Sequence, residues 1–181
     1  MQYLISDTLV KQDWETWEYE PRLCSSWDTE DSLILKADAA GKYGDAVRGV
    51  GRTEPVQVIY GKVSEDGGDY IVRALTAGNP LGEVGAELHV AGADVERVER
   101  GTVFTFHLRD GITWHDGEPC NADDLYFTWE CYQNPHVDCD ETRSGYSKLV
   151  DAEELDPLTI RFFYANQFFG ALATVGEMPI L

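Results

Sequence analysis

The chain has 181 residues, 43% of them hydrophobic, and 14 Lys and Arg stand against 33 Asp and Glu, a formal charge of −19. That apolar content supports a packed core and excludes a disordered acidic tail. So acidic a chain, with few and scattered bases, excludes binding through nucleic-acid phosphates and adhesion to an anionic membrane.

Residues 1–36 open with an amphipathic piece, Tyr3-Leu4-Ile5 followed by Thr8-Leu9-Val10, which predicts one short helix. A loop carrying Trp14, Trp17 and Tyr19 follows, and Pro21 is expected to open a helical turn over Arg22–Trp27. Asp28-Thr29-Glu30-Asp31 reads as a polar turn before a short strand at Leu33-Ile34-Leu35. Residues 37–100 are dense in glycine, with short β-like runs between. Val56–Tyr60 and Tyr70–Leu75, joined by Glu65-Asp66-Gly67-Gly68-Asp69, predict a hairpin. This stretch reads as a small antiparallel insert.

The strongest patterns lie in residues 101–181. Thr102–Arg109 alternates, placing Phe104, Phe106 and Leu108 on one face and Thr105, His107 and Arg109 on the other. Turns follow at Asp110-Gly111 and Asp116-Gly117. Asn121 is a natural N-cap, with Asp123 and Asp124 in the first turn, where carboxylates meet the positive end of a helix. Leu125, Trp129 and Tyr132 share one face of that helix, and Asn134-Pro135 ends it. A second alternating strand aims Leu158, Ile160, Phe162 and Tyr164 at the core, and Phe168–Val175 starts another amphipathic helix. Strands and helices mix without a βαβ rhythm, which predicts an α+β fold: a mixed sheet with packed helices.

The residues offer little chemistry. Cys24, Cys120, Cys131 and Cys139 form no CxxC pair, which argues against structural zinc. In an oxidising compartment Cys131 and Cys139, eight apart across a turn-rich segment, are the favoured disulfide; otherwise all four stay thiols. His115 precedes Asp116, but neighbours in an extended segment point to opposite faces, so a turn is expected rather than a catalytic dyad. His89 and His136 have no partner at metal spacing, and no nucleophile elbow, zinc helix, phosphate loop or dinucleotide fingerprint occurs. The acidic runs at Asp28–Asp31, Asp138–Glu141 and Asp151–Glu154 lack EF-hand order. No catalytic residue, metal or cofactor is expected. No apolar run reaches the ~18 residues of a membrane span. Met1 leads into no basic and apolar export signal, and the last residues stop on an apolar run. The chain is therefore expected to be part of a longer one.

The segment from Gly101 to Trp129, GTVFTFHLRDGITWHDGEPCNADDLYFTW, is specific. It resembles the hallmark of the extracellular solute-binding proteins of family 5, the oligopeptide-, dipeptide- and nickel-binding receptors of ABC importers. Asp7–Val10, Glu20–Trp27 and Leu155–Phe162 resemble three further motifs of that family, in the family's order. The resemblance covers 1–36 and 101–181, and 37–100 departs from it as an insert. It implies part of the first lobe of a two-lobed periplasmic binding protein, with no enzymatic activity.

The implied partners are a peptide or other small solute and, through the longer parent, the ABC permease subunits. The implied location is periplasmic or extracellular, with a lipid anchor open to the parent. The resemblance also implies a tyrosine near the cleft in the segment after the helix, for which Tyr146 is the nearest candidate. Arg109 is expected to pair with a carboxylate. A rival reading makes the insert 37–100 a protein–protein interaction device, and a second makes His115 and Asp116 a hydrolase dyad.

Overall fold

The computed structural model describes residues 7–180, apart from the side chain of Glu141. Two compact units share the chain: one holds the residues up to Trp27, Thr105–Phe162 and those from Phe168 on, the other Asp28–Phe104 and Phe163–Gln167. The whole is sheet-dominated α+β, as the mixed pattern predicts. Three strands carry the chain from one unit into the other: β3 (Cys24–Leu35), β8 (Val95–Leu108) and β10 (Thr159–Tyr164).

The second unit is antiparallel sheet. Besides its shares of β3 and β8 it contains β4 (Arg48–Val50), β5 (Val56–Asp66), β6 (Asp69–Arg73) and β7 (Glu87–Val90). The order is β7-β6-β5-β3-β8, with β4 also pairing β5. The predicted hairpin closes through Gly67 and Gly68, both at positive φ (59° and 99°), with Asp66 opposite Asp69. Two left-handed residues match the twist of the flanking strands, which is why the Gly-Gly pair sits there. Leu33, Leu35, Ile59, Val63, Val72, Val90 and Val95 form its apolar core.

The same unit also buries two carboxylates. Asp28–Asp31, expected as a polar turn, continues β3 instead, and both Glu30 and Asp31 are buried. Glu30 accepts from the Leu75 amide (3.2 Å), the Thr76 hydroxyl (3.2 Å) and Asn79 Nδ2 (3.3 Å). Asp31 accepts from the amides of Val63 (3.3 Å) and Gly101 (3.0 Å) and from Arg100 Nη1 (2.8 Å). Buried carboxylates persist only when so satisfied.

In the first unit, β1 (Val10–Gln12) and β2 (Tyr19–Pro21) form a two-stranded antiparallel hairpin. The helix expected over residues 3–10 is thus a strand from Val10, and its start falls outside the described residues. The helical turn expected over Arg22–Trp27 is the start of β3. Here Pro21 ends an edge strand, a position that needs no ladder N–H. The remaining elements are α1 (Ala122–Gln133), α2 (Asp140–Tyr146), β9 (Leu149–Asp156) and α3 (Ala171–Gly176), with strands in the order β8-β10-β9.

Asn121 caps α1 as predicted: its side chain accepts from the Asp123 amide, and Asp124 accepts from the Asn121 amide, a reciprocal capping box. Leu125, Trp129 and Tyr132 are buried on its inner face. The one-sided burial expected for Ile160, Phe162 and Tyr164 is not what β10 shows, because Arg161 and Phe163 are buried as well. Arg161 is reachable by Thr105, whose Oγ1 accepts from its Nε at 3.0 Å, and it lies 3.6 Å from Glu153. Leu158 falls in the turn before the strand, and α3 starts three residues later than Phe168.

Candidate functional site

The groove beside Tyr146 lies between α2 and α3, and α2 is held in place by the end of α1. When α1 ends at Gln133, its last carbonyls lose their intrahelical donors. Arg143 supplies replacements: Nε donates to Tyr132 O (3.2 Å) and Nη2 to Asn134 O (2.8 Å) and to Val137 O. A cation at that end also complements the helix dipole. Its Nη1 pairs with Asp140, so α2 is fastened to the end of α1 by one side chain. Gln133 Nε2 adds a second tie, donating to the carbonyls of Tyr146 and Leu149, each at 3.1 Å.

Held in this way, the Tyr146 ring lies nearly parallel to that of Tyr132, with centroids 4.6 Å apart and planes at 20°. Tyr132 is fixed from below, buried, with its hydroxyl donating to Pro179 O at 3.3 Å. Burial pushes its phenol pKa above the ordinary 10.0. Tyr146 stays half-buried and lines an open groove of about 420 Å³ with Thr142, Ser144, Thr174 and Glu177. An aromatic face, three hydroxyls and one carboxylate can stack on and hydrogen-bond a polar ligand. Glu177 also lines a neighbouring groove of about 290 Å³ together with Asp7, Lys11 and Arg22.

The other residues singled out from sequence fall elsewhere. His115 and Asp116 are exposed in a turn closed by Trp114 and Glu118, and Asp116 accepts from the Glu118 amide at 3.1 Å. Its carboxylate thus serves its own turn. Arg109 does not take the carboxylate expected of it: Nε donates to Cys24 O (3.1 Å) and Nη2 to Pro21 O (3.4 Å). It ties the first strands to the hallmark segment through backbone.

The Cys131–Cys139 bridge is not formed, and all four cysteines are free. The Cys139 sulfur points instead at the Cys131 carbonyl (3.7 Å) and receives Arg143 Nη2 at 3.3 Å. Cys24 and Cys120 are buried, and burial raises both thiols, Cys120 to about 11 with Asp124 adding to the effect. Among the described residues no group of three or more His, Cys, Asp or Glu could hold a metal ion. Nor is any described helix long and apolar enough to cross a membrane.

Tyr132, Arg143 and Glu177 escaped the sequence reading as parts of this site. One signal was available: Arg143 is the only Lys or Arg between Arg109 and Lys148, which marks it for a dedicated role. Glu177 reaches the groove only through tertiary folding.

Residues 18–180 match the family described as bacterial extracellular solute-binding proteins, family 5 Middle. The periplasmic alpha-galactoside-binding protein of Rhizobium meliloti (strain 1021) is 34% identical over 113 residues, which are 56% of this chain and 16% of that protein. Among solved structures, the binding protein AgaA from A. tumefaciens R10 in complex with agropinic acid superposes with a TM-score of 0.53 at 15% identity. That superposition covers 99% of this chain and 23% of AgaA. NikA from Brucella suis in complex with Fe(III)-EDTA gives 0.52 at 12% identity, again over 99% of this chain and 23% of the other. The structural likeness speaks for the fold. The chain spans about a sixth of the curated relative and under a quarter of either solved protein. Because the family match covers most of the sequence, residues 18–180, the chain belongs to the bacterial extracellular solute-binding proteins of family 5.

Proposed function

We propose that this chain is part of the first lobe of the solute-capturing component of an ABC importer. The component takes a small solute outside the membrane, in the periplasm or at the cell exterior, and hands it to the permease subunits. The observation that carries this reading is the family match across residues 18–180. The groove beside Tyr146 supplies part of the ligand contact, with the Tyr132–Tyr146 stack as its rigid floor. Capture rather than catalysis fits the residues that line it.

For the solute, an oligopeptide is the first reading. Peptide backbones offer the donors and acceptors that the hydroxyls of Thr142, Ser144 and Thr174 and the carboxylate of Glu177 complement. An α-galactoside is the second, favoured by the 34% identity to the R. meliloti protein; sugar faces also stack on aromatic rings.

Calorimetry on the full-length polypeptide decides between them, with a mixture of tri- to pentapeptides as one titrant and melibiose or raffinose as the other. Heat from peptides alone supports the first reading, and heat from the sugars alone replaces it with the second. Neither heat refutes both solute classes. Tyr146→Ala should weaken the solute that binds by about tenfold, the cost of a central aromatic anchor. Unchanged affinity in that variant removes Tyr146 from the site.

A further inference from the structure

The loop with Trp14, Trp17 and Tyr19 has no part in the groove. It caps the hairpin of β1 and β2, whose last register pair, Gln12 opposite Tyr19, leaves Asp13–Glu18 as the tip. The tip is tightly held. The Asp13 carboxylate accepts from the amides of Glu15 (2.8 Å) and Thr16 (2.7 Å) and from the Thr16 hydroxyl (3.1 Å). The Asp13 amide donates to Glu18 O (2.8 Å), the Trp17 amide to Asp13 O (2.9 Å), and Gln12 Nε2 to Trp17 O (3.0 Å).

On this fixed tip two indoles face solvent, Trp14 at 77% and Trp17 at 73% exposure. Trp17 is also the one non-glycine residue at positive φ (61°) among the described residues. Glycine or asparagine occupies such a position with less strain, so a tryptophan there fills it against local preference. Large exposed aromatics on a rigid support are the residues that dominate protein interfaces.

The charge pattern selects the partner. From Asp13 to Glu20 the sequence runs DWETWEYE, four carboxylates among three aromatics and no base. Glu15 and Glu18 adjoin the two tryptophans in sequence and are exposed, whereas Glu20 stands opposite Lys11 in the hairpin register. A guanidinium satisfies both features at once, stacking on the indole face while its fork meets a carboxylate. An anionic lipid surface, another home for exposed tryptophan, is repelled by the same carboxylates. A second copy of a chain at −19 is repelled too.

We propose that the hairpin tip Asp13–Glu18 is a docking element that grips an arginine-bearing segment of a partner protein. This does not depend on which solute the groove takes.

The test titrates this chain with a capped hexapeptide alternating glycine and arginine, and with its lysine counterpart, in about 0.15 M salt to screen diffuse attraction. The arginine peptide should bind more tightly than the lysine one, and Trp14→Ala/Trp17→Ala, which leaves the charge untouched, should lose about tenfold. Glu15→Gln/Glu18→Gln should lose affinity as well. Trp17→Gly should weaken the peptide without lowering the melting temperature, whereas a residue with a structural role would lower it. Three results overturn the proposal. The arginine peptide shows no binding, or it binds wild type and the tryptophan variant equally, or phosphatidylcholine vesicles bind through the tryptophans while the peptide does not.

Discussion

The buried carbonyl of Leu149 gives the sharpest test of how the helices are held to the sheet. It receives Trp129 Nε1 at 3.0 Å and Gln133 Nε2 at 3.1 Å, so both its lone pairs are occupied by side chains of α1. Leu149 and Trp129 are essentially inaccessible, at 0% and 1%. Trp129→Phe removes one donor and part of a ring, and should cost about 2 kcal/mol, below the ~3–5 kcal/mol of a full truncation to alanine. Gln133→Leu removes the other donor and should cost about 1 kcal/mol, the net value of one hydrogen bond.

Each single variant leaves the carbonyl one partner. The double variant strips it of both side-chain donors, and desolvation of an unmet acceptor adds about 1–2 kcal/mol beyond the sum. At this chain length each kcal/mol moves the melting temperature by about 2–4 °C. Urea unfolding followed by far-UV circular dichroism measures all four corners of the cycle. If the double variant falls within about 0.5 kcal/mol of additivity, the two side chains do not share the burden of that carbonyl and the reasoning fails.

Five further outcomes are expected. Asn121→Ala should destabilise by about 1 kcal/mol by opening the capping box of α1, and Asn121→Asp should restore most of it in the same urea assay. Gly61→Ala places a Cβ 2.5 Å from the Arg73 carbonyl oxygen and should cost at least ~1–3 kcal/mol as an overpacked backbone contact. Gly145→Ala, with nothing within 4 Å of its Cβ, should instead raise stability by about 0.5–1 kcal/mol within α2. The Cys120 thiol, held at about 11 against an ordinary 9.0, keeps its proton longer in the folded chain than in the unfolded one. Its contribution is therefore full below pH 9 and drains away up to pH 11; Cys120→Ala should flatten that decline in urea midpoints, and parallel curves would refute the assignment. Iodoacetamide on the native chain should label the half-buried Cys131 and Cys139 before the buried Cys24 and Cys120, as read by peptide mass spectrometry.

What the sequence revealed was local in origin. The run from Thr102 to Leu108 announces a strand because its alternation is set by neighbours two apart. Asn121 announces a helix because its cap partners lie two and three residues on. Gly67-Gly68 announces a hairpin because the turn needs both left-handed residues. The failures have the opposite character.

Glu30 and Asp31 look like turn residues, and only partners 45 and 70 positions away, Leu75 and Gly101, turn them into core. Arg161 interrupts an apolar alternation and is buried because Thr105 waits on another strand. The groove was half legible. Tyr146 is a candidate by resemblance alone, whereas its stacking on Tyr132 and its nearness to Glu177 depend on how α2 is latched by Arg143.

The contacts of Glu30 change what the segment between β6 and β7 is. With Gly78, Gly82 and Gly85 and no regular backbone, Ala74–Ala86 has the texture of a cuttable linker. Yet Ala74, Thr76 and Asn79 are buried, and the Leu75 amide ends on a carboxylate that water does not reach. Hydrogen exchange should therefore find Leu75 about as slow as the strands around it, because opening this loop strips the buried Glu30 carboxylate of its donors. Trypsin, offered Arg73 at its start, should find no site until the whole unit unfolds. An irregular stretch of chain here behaves as part of the interior.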